Sequence, residues 1–361
     1  MSEATGREQE ALALIERVRA RPPKFKDGQI TLAHGAGGKA SRSLVEGLLV
    51  PALRSEALER LDDAGLVTVN GLGLALTTDS FVVKPIRFPG GSIGVLAVNG
   101  TVNDLAVSGA RPLALTLSLV LEEGLDAETL RAEVETIAEA AAAARVEVVA
   151  GDTKVVERGK CDSMYMTTTG LGQIDPRASL SPSSLEPGDR ILLSGSIGEH
   201  GTAVMLARGE FELDAPVESD TQSLWPAVDG LLDAVGPSLR CLRDATRGGV
   251  ATVLNELARA SGVAMLVHEA RIPVRPPVAG ACEILGIDPM YVANEGRLVA
   301  FVAPEAAEEA LAALRAVPGC EQAAEIGEVK TEPPGLVLVE TAFGGRRVMD
   351  MLVGDPLPRI C

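Results

Sequence analysis

"HGAGGKA" (His34–Ala40) is the stretch on which the reading of the fold turns. It follows the apolar run "QITLA", so the order predicts a strand, a mobile glycine turn and a helix. The P-loop template G-x-x-x-x-G-K-[ST] fails here. Ala33 and Ala40 stand where it needs Gly and then Ser or Thr. The dinucleotide fingerprint G-x-G-x-x-A is met by Gly35, Gly37 and Ala40. That fold also needs a ribose-binding acid about 20 residues further on, which Glu56 and Glu59 fit only loosely. An ordinary strand-to-helix turn has the same residues. What the phosphate readings share is a set of backbone amides able to approach an anion, with Lys39 adding a point charge.

Working outward, four aspartates fall where apolar runs end or turn. They are Asp79 in "LTTDSF", Asp104 in "NGTVNDLAVSGARP", Asp152 in "VVAGDTK" and Asp244 in "LRDATRGG". A carboxylate at a sheet edge can reach a ligand, and several of them suit Mg²⁺ carrying a polyphosphate. Any one alone also serves as a cap or turn residue. In "RDATRGG", Asp244, Thr246 and Arg247 precede Gly248-Gly249 and a well-patterned helix, whose first amides can face an anion. In "VANEGRLVA", Asn294, Glu295 and Gly296 interrupt two apolar runs, so Glu295 is either a hairpin residue or a base in a half-buried cleft.

The 361 residues accommodate two domains. Residues 1–27 read as an appendage: "EQEALALIERVRA" has helical spacing and "RPPKFKDG" stops it. A first α+β unit spans 28–175. A boundary fits the Pro- and Ser-rich segment "DPRASLSPSSLEPGD", and a second α+β unit spans 188–340. Residues 341–361 lack periodicity and read as a tail ending "GDPLPRIC". Pro356 and Pro358 bias it towards extended conformations. From Arg346 onward it could span about 50 Å, which would let Cys361 enter its own cleft or a partner's.

Aromatic residues make up only 2%, so the core must be Ala, Val, Leu and Ile. The net charge of −17 argues against a broad nucleic-acid surface, which needs clustered Lys and Arg. Five widely spaced cysteines without a C-x-x-C pair disfavour structural zinc and suit a reducing cytoplasm. No apolar run approaches membrane-spanning length, and "MSEATGREQE" is not read as a signal peptide.

In order along the chain, "HGAGGKASRSLVE", "TTDSFVVKP", "VNGTVNDLAVSGARP", "AGDTKVVERG", "RDATRGGVATVLNELA", "ANEGRLV" and the terminal "PRIC" resemble the HypE family of hydrogenase maturation proteins. Most are shared more loosely with aminoimidazole ribonucleotide synthetase, thiamine-monophosphate kinase and selenophosphate synthetase. The terminal Pro-Arg-Ile-Cys is the specific part. The resemblance implies two α+β domains of the aminoimidazole ribonucleotide synthetase type, a homodimer paired through the N-terminal sheets, an ATP cleft and a flexible tail. It implies that the carbamoyltransferase HypF places a carbamoyl group on Cys361. ATP-dependent dehydration then gives a thiocyanate, and the cyanide passes to iron on the HypC–HypD scaffold.

By motif match, Asp79, Asp104, Asp152 and Asp244 become the Mg²⁺ and phosphate carboxylates. His34, Gly35, Gly37, Gly38 and Lys39 cover the triphosphate, with Asn103, Thr153, Thr246 and Arg247 also on ATP. Lys154 polarises the carbonyl oxygen, Glu295 is the base and Cys361 carries the substrate. Residues 1–27 extend beyond the usual start of that family. A small-molecule kinase or synthetase of the same superfamily, with an inert Cys361, stays open. So does a non-catalytic scaffold using the tail as a docking peptide.

Overall fold

A computed structural model describes residues 23–209, 215–352, 354 and 359–361. The helix expected before residue 21, and Pro356 and Pro358, lie outside the described residues.

The first half is built on β1 (Gly65–Val69), β2 (Leu72–Phe81), the short ribbon β3 (Arg87–Phe88) and β4 (Gly91–Ser92), β5 (Ala110–Glu122), β6 (Glu147–Val156) and β7 (Met164–Ile174). Five of these form a sheet in the order β1-β2-β7-β5-β6. The β1–β2 turn sits at Asn70 and Gly71, both with positive φ, the backbone that suits a two-residue hairpin. β5 and β6 run parallel, and the Ala127–Ala144 helix supplies the crossover such a pair needs. Asp126 caps that helix by accepting from the Thr129 amide.

The Ile93–Val107 helix packs against this sheet, and 13 of its 15 residues are buried. A helix apolar on every side must be covered on every side. Here the sheet covers one side and the second half of the chain the other.

That second half carries β8 (Arg190–Leu193), β9 (Leu239–Asp244), β10 (Ala264–His268), β11 (Leu298–Val302), β12 (Ala324–Lys330), β13 (Val337–Glu340) and β14 (Arg346–Met349). They form one sheet in the order β14-β13-β10-β12-β8-β11-β9. Successive side chains of a strand face opposite ways. Ile191 and Leu193 accordingly join the core under the Gly249–Ser261 helix, whereas Leu192 joins the core under the Trp225–Val235 and Ala307–Arg315 helices.

Three local expectations are corrected. "QITLA" does not form a strand. Leu32–Gly35 is a 3-10 turn, held because His34 Nδ1 accepts the Thr31 amide. No strand precedes Glu295 either, because the Glu295 and Gly296 amides go to the Asp220 carboxylate instead of a neighbouring strand. Residues 346–349, expected to be aperiodic tail, form β14 against β13.

Candidate active site

Asp244 ends β9, Asp104 sits on the Ile93–Val107 helix, and Asp63 stands in the turn before β1. One carboxylate oxygen from each lies within 4.8 Å of the others. Asp79, near the end of β2, lines the same cavity of about 250 Å³ together with Thr77, Gly100, Thr246, Arg247 and Glu295. The Thr77 hydroxyl donates to Asp104 at 2.7 Å, and Arg243 Nη1 donates to Asp63 at 2.6 Å. Asp244 Oδ2 is buried without a hydrogen-bond donor.

Burial raises the pKa of this cluster, and like charge adds to it. Asp104 lies well above the ordinary carboxylate range because it is desolvated and then because Asp244, Asp63 and Asp79 surround it. Asp244 is raised in the same way, by burial first and Asp63 next. Asp63 is raised less, since Arg243 opposes its desolvation. Such a group of acids is unstable as anions alone. A hard cation would relieve the repulsion and occupy the lone pair on Asp244 Oδ2. The donor set therefore fits Mg²⁺.

Glu295 is 3% exposed. Its amide donates to Asp220 Oδ1, and its carbonyl accepts from Asn103 Nδ2 at 3.1 Å. Its carboxyl is pushed well above the usual range, by burial first and then by Asp79 and Asp244, with Arg247 opposing. Cys361 lines the same cavity, and its backbone oxygen accepts from the Val82 amide at 3.0 Å.

The glycine segment, which precedes the first sheet in the chain, is held against Arg247 of the second half and lines a cavity adjoining this one. Arg247 Nη1 donates to Gly35 O at 3.1 Å, and its Nη2 lies 3.8 Å from Asp79 Oδ1. Gly37 has φ +75°, and a Cβ there would lie 2.6 Å from Arg247 O, so both the conformation and the space require glycine.

Residues 61–174 match the N-terminal domain of AIR synthase related proteins, and residues 186–339 match their C-terminal domain. The chain is 48% identical over 340 residues to "Carbamoyl dehydratase HypE" of Rhodobacter capsulatus, covering 93% of this chain and 99% of that one. The chain belongs to the HypE family. A solved HypE–HypF complex superposes with TM-score 0.82 at 43% identity, covering 86% of this chain and 100% of that one. A HypE structure in complex with ATP superposes with TM-score 0.77 at 45% identity, covering 92% and 100%.

Within this HypE-family chain the residues singled out from sequence divide into groups. Asp79, Asp104, Asp244, Thr246, Arg247, Glu295 and Cys361 line one cavity. His34, Gly35 and Gly37 line the adjoining one. Asp104 lies on a helix, not at the strand end or turn expected, because the helix runs on through Val107. Lys39 is turned away, paired with Asp350 Oδ2 at 2.7 Å, and Gly38 packs against Leu352 O.

Asn103 faces away from the cavity. Its amide nitrogen donates to Gln222 O and Glu295 O, and its oxygen accepts from the Leu224 amide, so it spans the two halves. Asp152, Thr153 and Lys154 lie within exposed β6, with Asp152 paired to Lys154 and held below its usual range by that hydrogen bond. Two strands separate β6 from β2, so three spacings of about 4.8 Å keep this trio roughly 14 Å from Asp79.

Sequence reasoning missed Asp63, which stands beside Asp62 with no local mark to separate them. It also missed His200, buried in the Glu199–Ala207 helix. Its one sequence clue is scarcity, since the chain has three histidines.

Proposed function

We propose that this chain is an ATP-dependent carbamoyl dehydratase of [NiFe]-hydrogenase maturation that acts on its own Cys361. The observation that carries this reading is the convergence of Cys361, Glu295 and four aspartates on one cavity. HypF would load the thiol, as the solved HypE–HypF complex suggests for the family. The HypC–HypD scaffold would take the cyanide.

The chemistry balances as follows. The thiocarboxamide oxygen attacks the γ-phosphorus of ATP, ADP leaves, and one amide proton is lost. The second amide proton then goes to a base while phosphate departs, leaving S–C≡N. Overall one water is removed from the carboxamide and consumed in ATP hydrolysis. Asp63, Asp104 and Asp244, with Asp79 beside them, would hold Mg²⁺, which neutralises developing phosphate charge when bound. The glycine segment and Arg247 would face the phosphates. Glu295 reaches the cavity where the amide protons must leave, and as a carboxylate it serves as the base.

Lys154 is the polariser in this reading, and its place on exposed β6 requires a second copy. The outer face and edge of the first sheet expose Val67, Leu72, Leu76, Leu113, Val148, Val149 and Val155. Pairing of two sheets would cover this apolar surface and carry Asp152 and Lys154 of one copy towards the other's cleft. Among the described residues no helix is long and apolar enough to cross a membrane. Cys161, Cys241, Cys282 and Cys320 are buried thiols, which supports a cytoplasmic setting.

Intact-protein mass spectrometry with HypF, carbamoyl phosphate and ATP tests this reading. The wild type should gain one carbamoyl group and then lose one water, and Cys361→Ala should gain nothing. An identical adduct on Cys361→Ala overturns it.

A further inference from the structure

The last three residues are held more closely than a loose carrier arm requires. The Val82 amide donates to Cys361 O at 3.0 Å and the Lys84 amide donates to Arg359 O at 3.3 Å, so the tail lies antiparallel along the chain leaving β2. Arg359 donates from Nε and Nη2 back to Val82 O at 3.2 and 3.1 Å. Its Nη1 meets Asp162 Oδ2 at 2.5 Å, and Lys84 Nζ meets Asp162 Oδ1 at 2.9 Å. These partners hold the Asp162 carboxyl at about 2, the Lys84 hydrogen bond contributing most. Arg208 Nη2 donates to Arg359 O at 2.7 Å.

Ile360 is 4% exposed and joins the apolar cluster that contains Val83 and Phe88. Its carbonyl lies 2.7 Å from His200 Nε2. A carbonyl only accepts, so Nε2 carries the proton. Nδ1 then accepts from the Ser219 hydroxyl at 2.8 Å, and Ser219 Oγ accepts from the Thr221 amide at 3.2 Å. His200 is fully buried, and burial pushes its pKa below the ordinary value, so this neutral tautomer persists.

We propose that His200 and Asp162 are positioning residues that form a seat for the terminal Arg-Ile-Cys, and that occupancy of this seat divides Cys361 between its own cleft and its loading partner. The second half rests on the functional reading above. A seated thiol is shielded from a second protein but placed beside Glu295 and the acid cluster. An unseated thiol can be loaded but not dehydrated. Weakening the seat therefore speeds loading and slows dehydration. A damaged fold would slow both.

The test uses the full chain as wild type, Asp162→Asn, His200→Ala and His200→Gln. Alkylation of Cys361 by iodoacetamide is followed by mass spectrometry, the other four cysteines being buried. Asp162→Asn and His200→Ala should raise the rate roughly two- to fivefold. His200→Gln, whose amide can still donate to Ile360 O, should stay near wild type. With HypF and ATP, the first two variants should load faster and dehydrate slower by similar factors. Unchanged alkylation in Asp162→Asn, a partly exposed site that should fold whatever the fate of His200→Ala, overturns the seat. Joint slowing of loading and dehydration overturns the division. If Cys361 takes no carbamoyl group at all, the functional reading fails and alkylation still decides the seat.

Discussion

Lys39 Nζ lies 2.7 Å from Asp350 Oδ2, a contact that closes 311 positions of chain. Beside it the Lys39 amide donates to Leu352 O at 3.0 Å. The glycine segment proposed to face phosphates is thus tied to the stretch that leads into the tail. A triphosphate would have to compete with Asp350 for that ammonium.

Asp350→Asn should therefore tighten ATP binding by up to about fivefold, the range expected for releasing a half-exposed ion pair. Calorimetric titration with ATP and Mg²⁺ checks it. A weaker Kd would mean that Asp350 positions Lys39 for the nucleotide instead of competing with it.

The acid cluster predicts a metal-linked pH dependence of stability. Asp63, Asp104, Asp244 and Glu295 have folded pKa values above their unfolded ones, so the folded state binds more protons. Stability without a divalent cation should then fall as pH rises from the ordinary carboxylate range through the raised values. Mg²⁺ should raise Tm, and more so at higher pH, because it displaces those protons. Asp244→Asn should raise the metal-free Tm at alkaline pH and shrink the Mg²⁺ increment. Scanning calorimetry over pH with and without Mg²⁺ measures both. An undiminished increment in Asp244→Asn removes it from the metal site.

Glu295→Gln should leave carbamoylation intact and slow the loss of water at least about 100-fold. In the wild type, single-turnover dehydration should rise with pH through a pKa above the ordinary carboxylate range, because the base must be ionised. A normal rate of nitrile formation in Glu295→Gln would dismiss it as the base.

Lys154→Ala and Glu295→Gln should each be inactive alone yet complement when mixed. A mixed dimer keeps one intact cleft if Lys154 acts across copies, so a refolded equimolar mixture should recover about a quarter of wild-type activity. Recovery of nothing would place both residues in one chain's own cleft, or exclude Lys154.

Local rules made much of this architecture legible. Asp126 before an alanine-rich run marks a helix, and Asn70-Gly71 between apolar runs marks a hairpin. Asp79 and Asp244 were visible because each closes an apolar run, Asp79 near the end of β2 and Asp244 at the end of β9. Asp104 was found as a residue, and the run "SIGVLAVNGTVNDLAVSG" around it reads as the helix that forms, although it was grouped with carboxylates at strand ends and turns. Asp63 was invisible because its partner Arg243 is 180 positions away. His200 was invisible because its role depends on a carbonyl 160 positions away. Asn103 is placed on ATP by the motif "VNGTVNDLAVSGARP" alone, which says nothing of its partners. Its bonds to Glu295 and Leu224 exist only once the two halves meet.

Asn103 and Asp104 are neighbours on one helix, yet one grips the main chain of Glu295 and the other faces the acid cluster. The gap between Glu295 and Asp104 is therefore a dimension of the interface between two domains, set by how that helix is wedged. Substitutions outside the cavity lining, such as at Leu224, whose amide meets Asn103 Oδ1, can retune the chemistry by tilting the wedge while leaving each domain intact.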